Sequence, residues 1–355
     1  MKKIYSAIII VLLILSGVTF YNYIREESDS KETVALSSKG NLVSISKNFD
    51  HMICIDDVMI EVEGSVLKAR NVDGKIHWSQ KLQSKVSKTI RSGTNVIVVD
   101  KENKVICLNK QGKILWQYKY NQAPIDIISD KFGFTLVEYK KNDISNIDVY
   151  DAKGVKAGTV PIENGYILSF SSSGADNYTV SLLDTSSDSI KSKVINYNKK
   201  GELVWAVNFD NKIVPKITYG PRGNIYIIDE TVIYKYRTDG KEVGKIDLED
   251  KIVSFDCSSE KIYAVLKNKN KYRLVLVNES MNKAEEVDIN EVPNGLLVSK
   301  NEAVLYYGDR IEGYDKHGKT SFTFQNTSDI KDIYFTSENT LFVISNNRME
   351  MLKYQ

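Results

Sequence analysis

The chain has 355 residues, 42% apolar and 26% charged with only 5 prolines, a folded composition without a Pro/Gly/Ser linker tract. Its 48 Lys and Arg nearly balance 46 Asp and Glu, and a formal charge of +2 gives no basic stripe, so no nucleic-acid partner is expected. The 21 tyrosines, with abundant Ile and Val, favour strands, because aromatic and β-branched side chains suit a pleated, half-buried surface.

Between Lys3 and Arg25 run 21 uncharged residues, IYSAIIIVLLILSGVTFYNYI. At about 1.5 Å per helical residue they cover a hydrocarbon core of about 30 Å. Residues 1–24 are therefore read as a cytoplasmic N-terminus and a single-pass transmembrane helix. Lys2 and Lys3 precede the run and REESDSKE, with a net charge of −2, follows it. By the positive-inside rule the remainder is extracytoplasmic, at the cell membrane, and Phe20, Tyr21 and Tyr23 sit where aromatic rings favour the interface. A cleaved signal would show an apolar core of about 7–15 residues and an A-x-A-like site. No cysteine follows the run to take a lipid. Residues 25–35 are read as a linker.

From residue 36 onward a turn followed by a strand recurs. NVDGKIHWSQKL, LNKQGKILWQYKY and YNKKGELVWAVNF each place a glycine four residues before a tryptophan: Gly74 and Trp78, Gly112 and Trp116, Gly201 and Trp205. All three tryptophans of the chain are used this way. Weaker copies carry Gly40, Gly154, Gly240 and Gly318, and VNESMNKAEEVDI lacks the glycine, giving eight in all. The glycine supplies the positive φ of a tight turn. Two short alternating runs precede each copy, so one unit is about four strands. Spacings of 34, 38, 42, 47 and 39 residues from Gly40 to Gly240 fit a four-stranded blade. The expected fold is all-β, an eight-bladed propeller over residues 36–355, since such units bury their faces only by stacking round an axis. The last unit stops after its third strand, while a turn-plus-strand copy at Leu36–Ser46 precedes any complete blade. Residues near Gly40 to Phe49 are thus expected to close the last blade.

The run around Gly74-Lys75-Ile76-His77-Trp78 and Gly112-Lys113-Ile114-Leu115-Trp116 resembles the tryptophan-docking repeat of the quinoprotein-like propellers. That superfamily includes pyrroloquinoline-quinone (PQQ) alcohol dehydrogenases and the non-enzymatic lipoprotein of the outer-membrane β-barrel assembly machine. The layout is also similar to uncharacterised membrane-anchored propellers of Gram-positive bacteria. The resemblance implies that Trp78, Trp116 and Trp205, with Gly74, Gly112 and Gly201, dock blade on blade. It implies no chemistry, because fold does not carry function. The dehydrogenases use a disulfide of adjacent cysteines and a calcium site, whereas Cys54, Cys107 and Cys257 lie far apart. No cofactor is expected.

His51, His77 and His317 are too scattered for a zinc site, and Asp56-Asp57 and Glu285-Glu286 lack calcium-loop spacing. The three cysteines read as buried thiols. SFSSSGADNY (169–178) and LLDTSSDSIKSK (182–193) lack a G-x-S-x-G elbow and read as extended hairpin loops able to present a partner surface. No catalytic, cofactor-binding or metal residue is assigned. The expectation is a non-catalytic binding or scaffolding module for an envelope or membrane protein. The alternative is a small-ligand (glycan or quinone) sensor or enzyme using the propeller funnel.

Overall fold

Central strands of this chain are apolar almost without interruption, as in NVIVVD (Asn95–Asp100) and TLFVIS (Thr340–Ser345), and nearly every side chain in them is buried. Such a strand needs cover on both faces. The computed structural model, which describes residues 34–35, 43–44 and 50–353 apart from breaks at 72–73, 143, 163, 187, 259, 300–301, 337–339 and 346–347, supplies that cover. The described residues form eight antiparallel meanders, at 51–81, 86–119, 126–162, 165–210, 216–247, 251–289, 295–325 and 330–353. These are blades one to eight of an all-β propeller. The first strands of blades one to five touch in succession, as do those of blades six and seven, and so line the axis.

Eight hydrophobic clusters fill the eight seams between blades. Ile60 and Leu67 of blade one, for example, meet Val98 and Leu108 of blade two. The last seam joins Cys54 and Met59 of blade one to Phe342, Ile344 and Met349 of blade eight. The ring is therefore closed by packing as well as by strand pairing.

Blade eight takes its fourth strand from the N-terminal side. Val43–Ser44 pairs antiparallel with Arg348–Lys353, Val43 opposite Met349. A second short strand, Val34–Ala35, adds in parallel to the outer strand of blade seven, Thr320–Gln325, making that sheet five-stranded. No helix among the described residues is long and apolar enough to cross a membrane. The anchor read at residues 1–24 lies outside the described residues.

The serine-rich stretch of blade four corrects the sequence reading. It is not extended loop: Gly165–Ser172, Asn177–Asp184 and Lys191–Asn198 are strands. Its hydroxyls are spent inward. Ser181 Oγ donates to the Val214 carbonyl (2.8 Å), Ser192 Oγ to that of Lys212 (3.0 Å), and Thr179, Tyr219 and Asn196 share a buried network. Buried polar groups survive only when bonded in this way, and composition alone does not distinguish them from solvated ones.

Candidate functional site

The repeated turn is built on the residue three before its glycine. Asn109 Oδ1 accepts the amides of Gln111 (3.1 Å) and Lys113 (2.9 Å), while the Gly112 amide donates to the Asn109 carbonyl (2.9 Å). Asp151, Asn198, Asn278 and Asp315 do the same in blades three, four, six and seven. This Asx turn puts its fourth residue at positive φ, +76° at Gly74, +79° at Gly112 and +79° at Gly201.

Each tryptophan lies on the glycine of the following blade rather than its own. Trp78 of blade one covers Gly112 of blade two, and its Nε1 donates to the Lys110 carbonyl at 2.8 Å. Trp116 covers Gly154 of blade three, and Trp205 covers Gly240 of blade five, with Nε1 donating to the Thr238 carbonyl at 3.0 Å. Gly201 meets the bare backbone of Gly158 in blade three, and Gly74 holds the corresponding turn of blade one. Blade six has Met281 in the glycine's place, at φ +61°, and the residue above it is Gly244. Bulk has changed sides of that seam.

A Cβ on Gly112 would lie 2.7 Å from the Trp78 ring. Gly112→Ala is expected to cost about 3 kcal/mol, from left-handed strain of roughly 1–2 and overpacking of roughly 1–3. In a Trp78→Ala background the overlap is gone, and the same change should cost only about 1 kcal/mol. Urea unfolding of the four proteins checks this, since neighbours in contact are non-additive.

Two of the cavities gather polar side chains from several blades or round a single carboxylate. The first, about 500 Å³, lies on the axis, with Arg91, Lys131, Asp256, Cys257, Leu297 and Phe335 converging from five blades. Arg91 Nε donates to its own strand's Gly93 carbonyl (3.1 Å), and neither Arg91 nor Lys131 has a carboxylate within ion-pair distance among the described residues. Asp256 accepts the amides of Cys257 (2.8 Å) and Val298 (3.1 Å). Burial pushes its carboxyl up, against the pull of Lys216 and Lys131.

The second cavity, about 320 Å³, lies between blades two and three over a tyrosine cluster. Its floor is Asp148, which accepts from the hydroxyls of Thr159 (2.8 Å), Tyr139 (3.2 Å), Tyr120 and Tyr150 (both 3.3 Å) and from Lys156 Nζ (2.8 Å). Burial, then the Asp148 charge, raises the Tyr139 hydroxyl to about 12. Every donor is satisfied, so this cluster locks a seam.

The three cysteines are buried and unpaired, one each in blades one, two and six. Among the described residues no three His, Cys, Asp or Glu side chains converge as metal ligands. His77 and His317 are exposed.

The rim differs. Within three residues after the glycine turns, blades one to five each expose apolar side chains: Ile76, Leu115, Val155, Leu203 with Val204, and Val243, of which Val155 and Leu203 are each 62% exposed. Sequence reasoning passed over them because they belong to the repeat. Their signal is the apolar pair between glycine and tryptophan at Ile114-Leu115 and Leu203-Val204, where a solvated hairpin would be polar.

A family profile matches residues 19–353, and its description is a family of unknown function, DUF5711. The chain belongs to that family. No curated protein matches this DUF5711 chain. Among solved structures it is similar to BamB from Moraxella catarrhalis, at 10% identity and a TM-score of 0.59, covering 91% of this chain and 100% of that one. It is similar also to Saccharomyces cerevisiae Sqt1, at 8% identity and 0.57 over 91% and 99% of the two chains. Apo AztD from Citrobacter koseri follows, at 12% identity and 0.52 over 82% and 87%. At such identities the likeness is one of fold.

Proposed function

We propose that this DUF5711 chain is a non-catalytic protein-binding or scaffolding module, held at the outer face of the cell membrane by its N-terminal helix, with an envelope or membrane protein as partner. The observation that carries this reading is the apolar belt from Ile76 to Val243. Single exposed apolar residues need no explanation, but their recurrence beside the same turn on five successive blades concentrates apolar surface along one arc of the rim, and exposed apolar surface of that kind marks interaction sites. Strands built on rigid blades hold that surface in a fixed shape.

Benzophenone crosslinkers at Ile76, Leu115 and Val155, in the full chain in its native membrane, should trap the same partner from all three positions. Recovery of no reproducible partner from any of them overturns the reading. Topology has its own test, because the native cysteines are buried. A His77→Cys variant should react with a membrane-impermeant maleimide in intact cells; reaction only after permeabilisation overturns the outward orientation.

A second reading, a small-ligand sensor using the funnel, is favoured by the axial cavity, whose size suits a ligand of roughly 300–1,000 Å³ sites. Arg91 and Lys131 would donate to the carboxylate of an acidic glycan or to the carbonyl oxygens of a quinone. Thermal shifts of the full chain with either probe, lost in Arg91→Ala, would support it.

A further inference from the structure

An outer strand with a free edge is a template for another strand, and proteins blunt such edges with charge, proline or cover. Blades one and two frame theirs with Lys75 and Lys81, and with Lys113 and Lys119. Blade three carries Lys156 and Pro161, blade five Lys245, and blade six Glu285 and Glu286. Blade seven's TSFTFQ has no charge at all, and it is the edge on which Val34–Ala35 lies. Blade four differs in the sign of its frame, which is acidic, and in having the longest uncharged run of these uncovered outer strands. Its outer strand, Leu203–Asp210, runs LVWAVNFD, uncharged from Leu203 to Phe209, and no strand among the described residues covers it.

We infer that the outer edge of blade four is a docking strand for an extended segment of a partner protein, uncharged over about seven residues and flanked by Lys or Arg. The inference rests on the protein-binding reading above and names its site. Blade seven shows the type of occupant, because there the chain itself satisfies an uncharged edge with an added strand. The flanking charge comes from complementarity. Glu202 and Asp210 bracket the edge, and Asp210 is 76% exposed with Lys191 no nearer than 3.8 Å. The same bracket disfavours a second copy, since antiparallel self-pairing sets Glu202 against Asp210 and parallel pairing sets like against like.

Specificity has a place to reside. Ala206 and Asn208 oppose Ile195 and Lys193 on the next strand. Those two, with Leu182 and Tyr197, line a cavity of about 320 Å³ towards Pro161 of blade three. Alternate side chains of an added strand would point over that side, while main-chain bonds hold it to the edge.

Two synthetic peptides test this on the full chain in detergent, Lys-(Thr-Val)₃-Thr-Lys and its Glu-flanked counterpart. The Lys-flanked peptide is expected to bind at least about tenfold more tightly, and Ala206→Lys to weaken it by about tenfold, while Ala284→Lys, at an exposed position on the outer strand of blade six, changes nothing. Hydrogen exchange should slow within 203–210 alone. Equal binding of the two peptides, indifference to Ala206→Lys with the fold intact by circular dichroism, or protection on another blade overturns the inference. In native membranes a benzophenone at Val204 should trap the partner. If Ile76, Leu115 and Val155 trap one while Val204 and Ala206 do not, the docking edge falls and the protein-binding reading stands. If no position traps a partner, the reading itself falls.

Discussion

Trp116→Ala is expected to lower the unfolding free energy by about 3–5 kcal/mol, the range for truncating a buried aromatic. Trp116 is 8% exposed, the most buried of the three indoles, and packs with Ile97, Val137 and Tyr150 in the seam between blades two and three. Its ring stacks on Tyr150 at 5.4 Å and covers Gly154, to whose carbonyl Tyr118 also donates at 2.9 Å. Removing it opens a void that the glycine turn cannot fill, because Gly154 has no side chain to move in. Trp116 differs from Trp78 and Trp205 in one respect. Its indole N–H has no hydrogen-bond partner among the described residues. Trp116→Phe should therefore be milder than Trp78→Phe, which strips the Lys110 carbonyl of its donor at 2.8 Å. Urea unfolding followed by far-ultraviolet circular dichroism checks the order, and a Trp116→Phe cost above that of Trp78→Phe would contradict it.

Asp229→Ala is expected to cost about 3 kcal/mol at neutral pH, chiefly because the buried donors around it lose their acceptor. The Asp229 side chain is 6% exposed. It accepts the amides of Val232 (2.6 Å) and Thr231 (3.0 Å), the Tyr234 hydroxyl (3.1 Å) and Lys212 Nζ (2.6 Å). Lys212 belongs to the connection between blades four and five, so this carboxylate ties a connection to the blade that follows it. The lysine side chain is 40% exposed, which limits what the charge pair adds. The orphaned amides account for most of the loss.

Burial alone would raise the Asp229 carboxyl, but the Lys212 bond and the two amides outweigh it and hold the group below its ordinary 3.8. The folded value is depressed, so the stabilisation is complete above the unfolded value of about 3.9 and is lost as pH falls through the folded one. The difference between wild type and Asp229→Ala should hold steady from about pH 5 upward and shrink below about pH 4. A gap that widened in acid would contradict the assignment.

Much of the fold was legible because the repeat uses scarce residues for steric reasons. A tryptophan and a turn glycine four apart survive as a pattern in Gly74–Trp78, Gly112–Trp116 and Gly201–Trp205. The spacing within a copy says nothing of which copy the indole touches, and the partner proved to be the next blade's glycine. The Asx residue at Asn109, Asp151 and Asn198 was equally available to a reader, since its side chain is what forms the turn. Blade four was misread because serine is scored as solvated, whereas Ser181 and Ser192 bond buried carbonyls. Val34–Ala35 was beyond reach: two residues of added strand leave no periodicity. The candidate rim was hidden for the opposite reason, since Leu203 and Val204 look like any strand residues until their exposure is known.

The pairing of Val43 with Met349 joins residues from nearly opposite ends of the chain. Loop-closure entropy rises only slowly with length, yet such non-local contacts come late in folding and slow it. Synthesis delivers Val43 ahead of Met349 by 306 residues. Until then blades one to seven form an open arc, with Cys54 and Met59 of the final seam uncovered. Closure of the ring therefore waits on the last strand of blade eight. A nascent chain stalled before residue 340 should remain protease-sensitive at both ends of the arc, and release of the last strand should convert it to the resistant ring in one step.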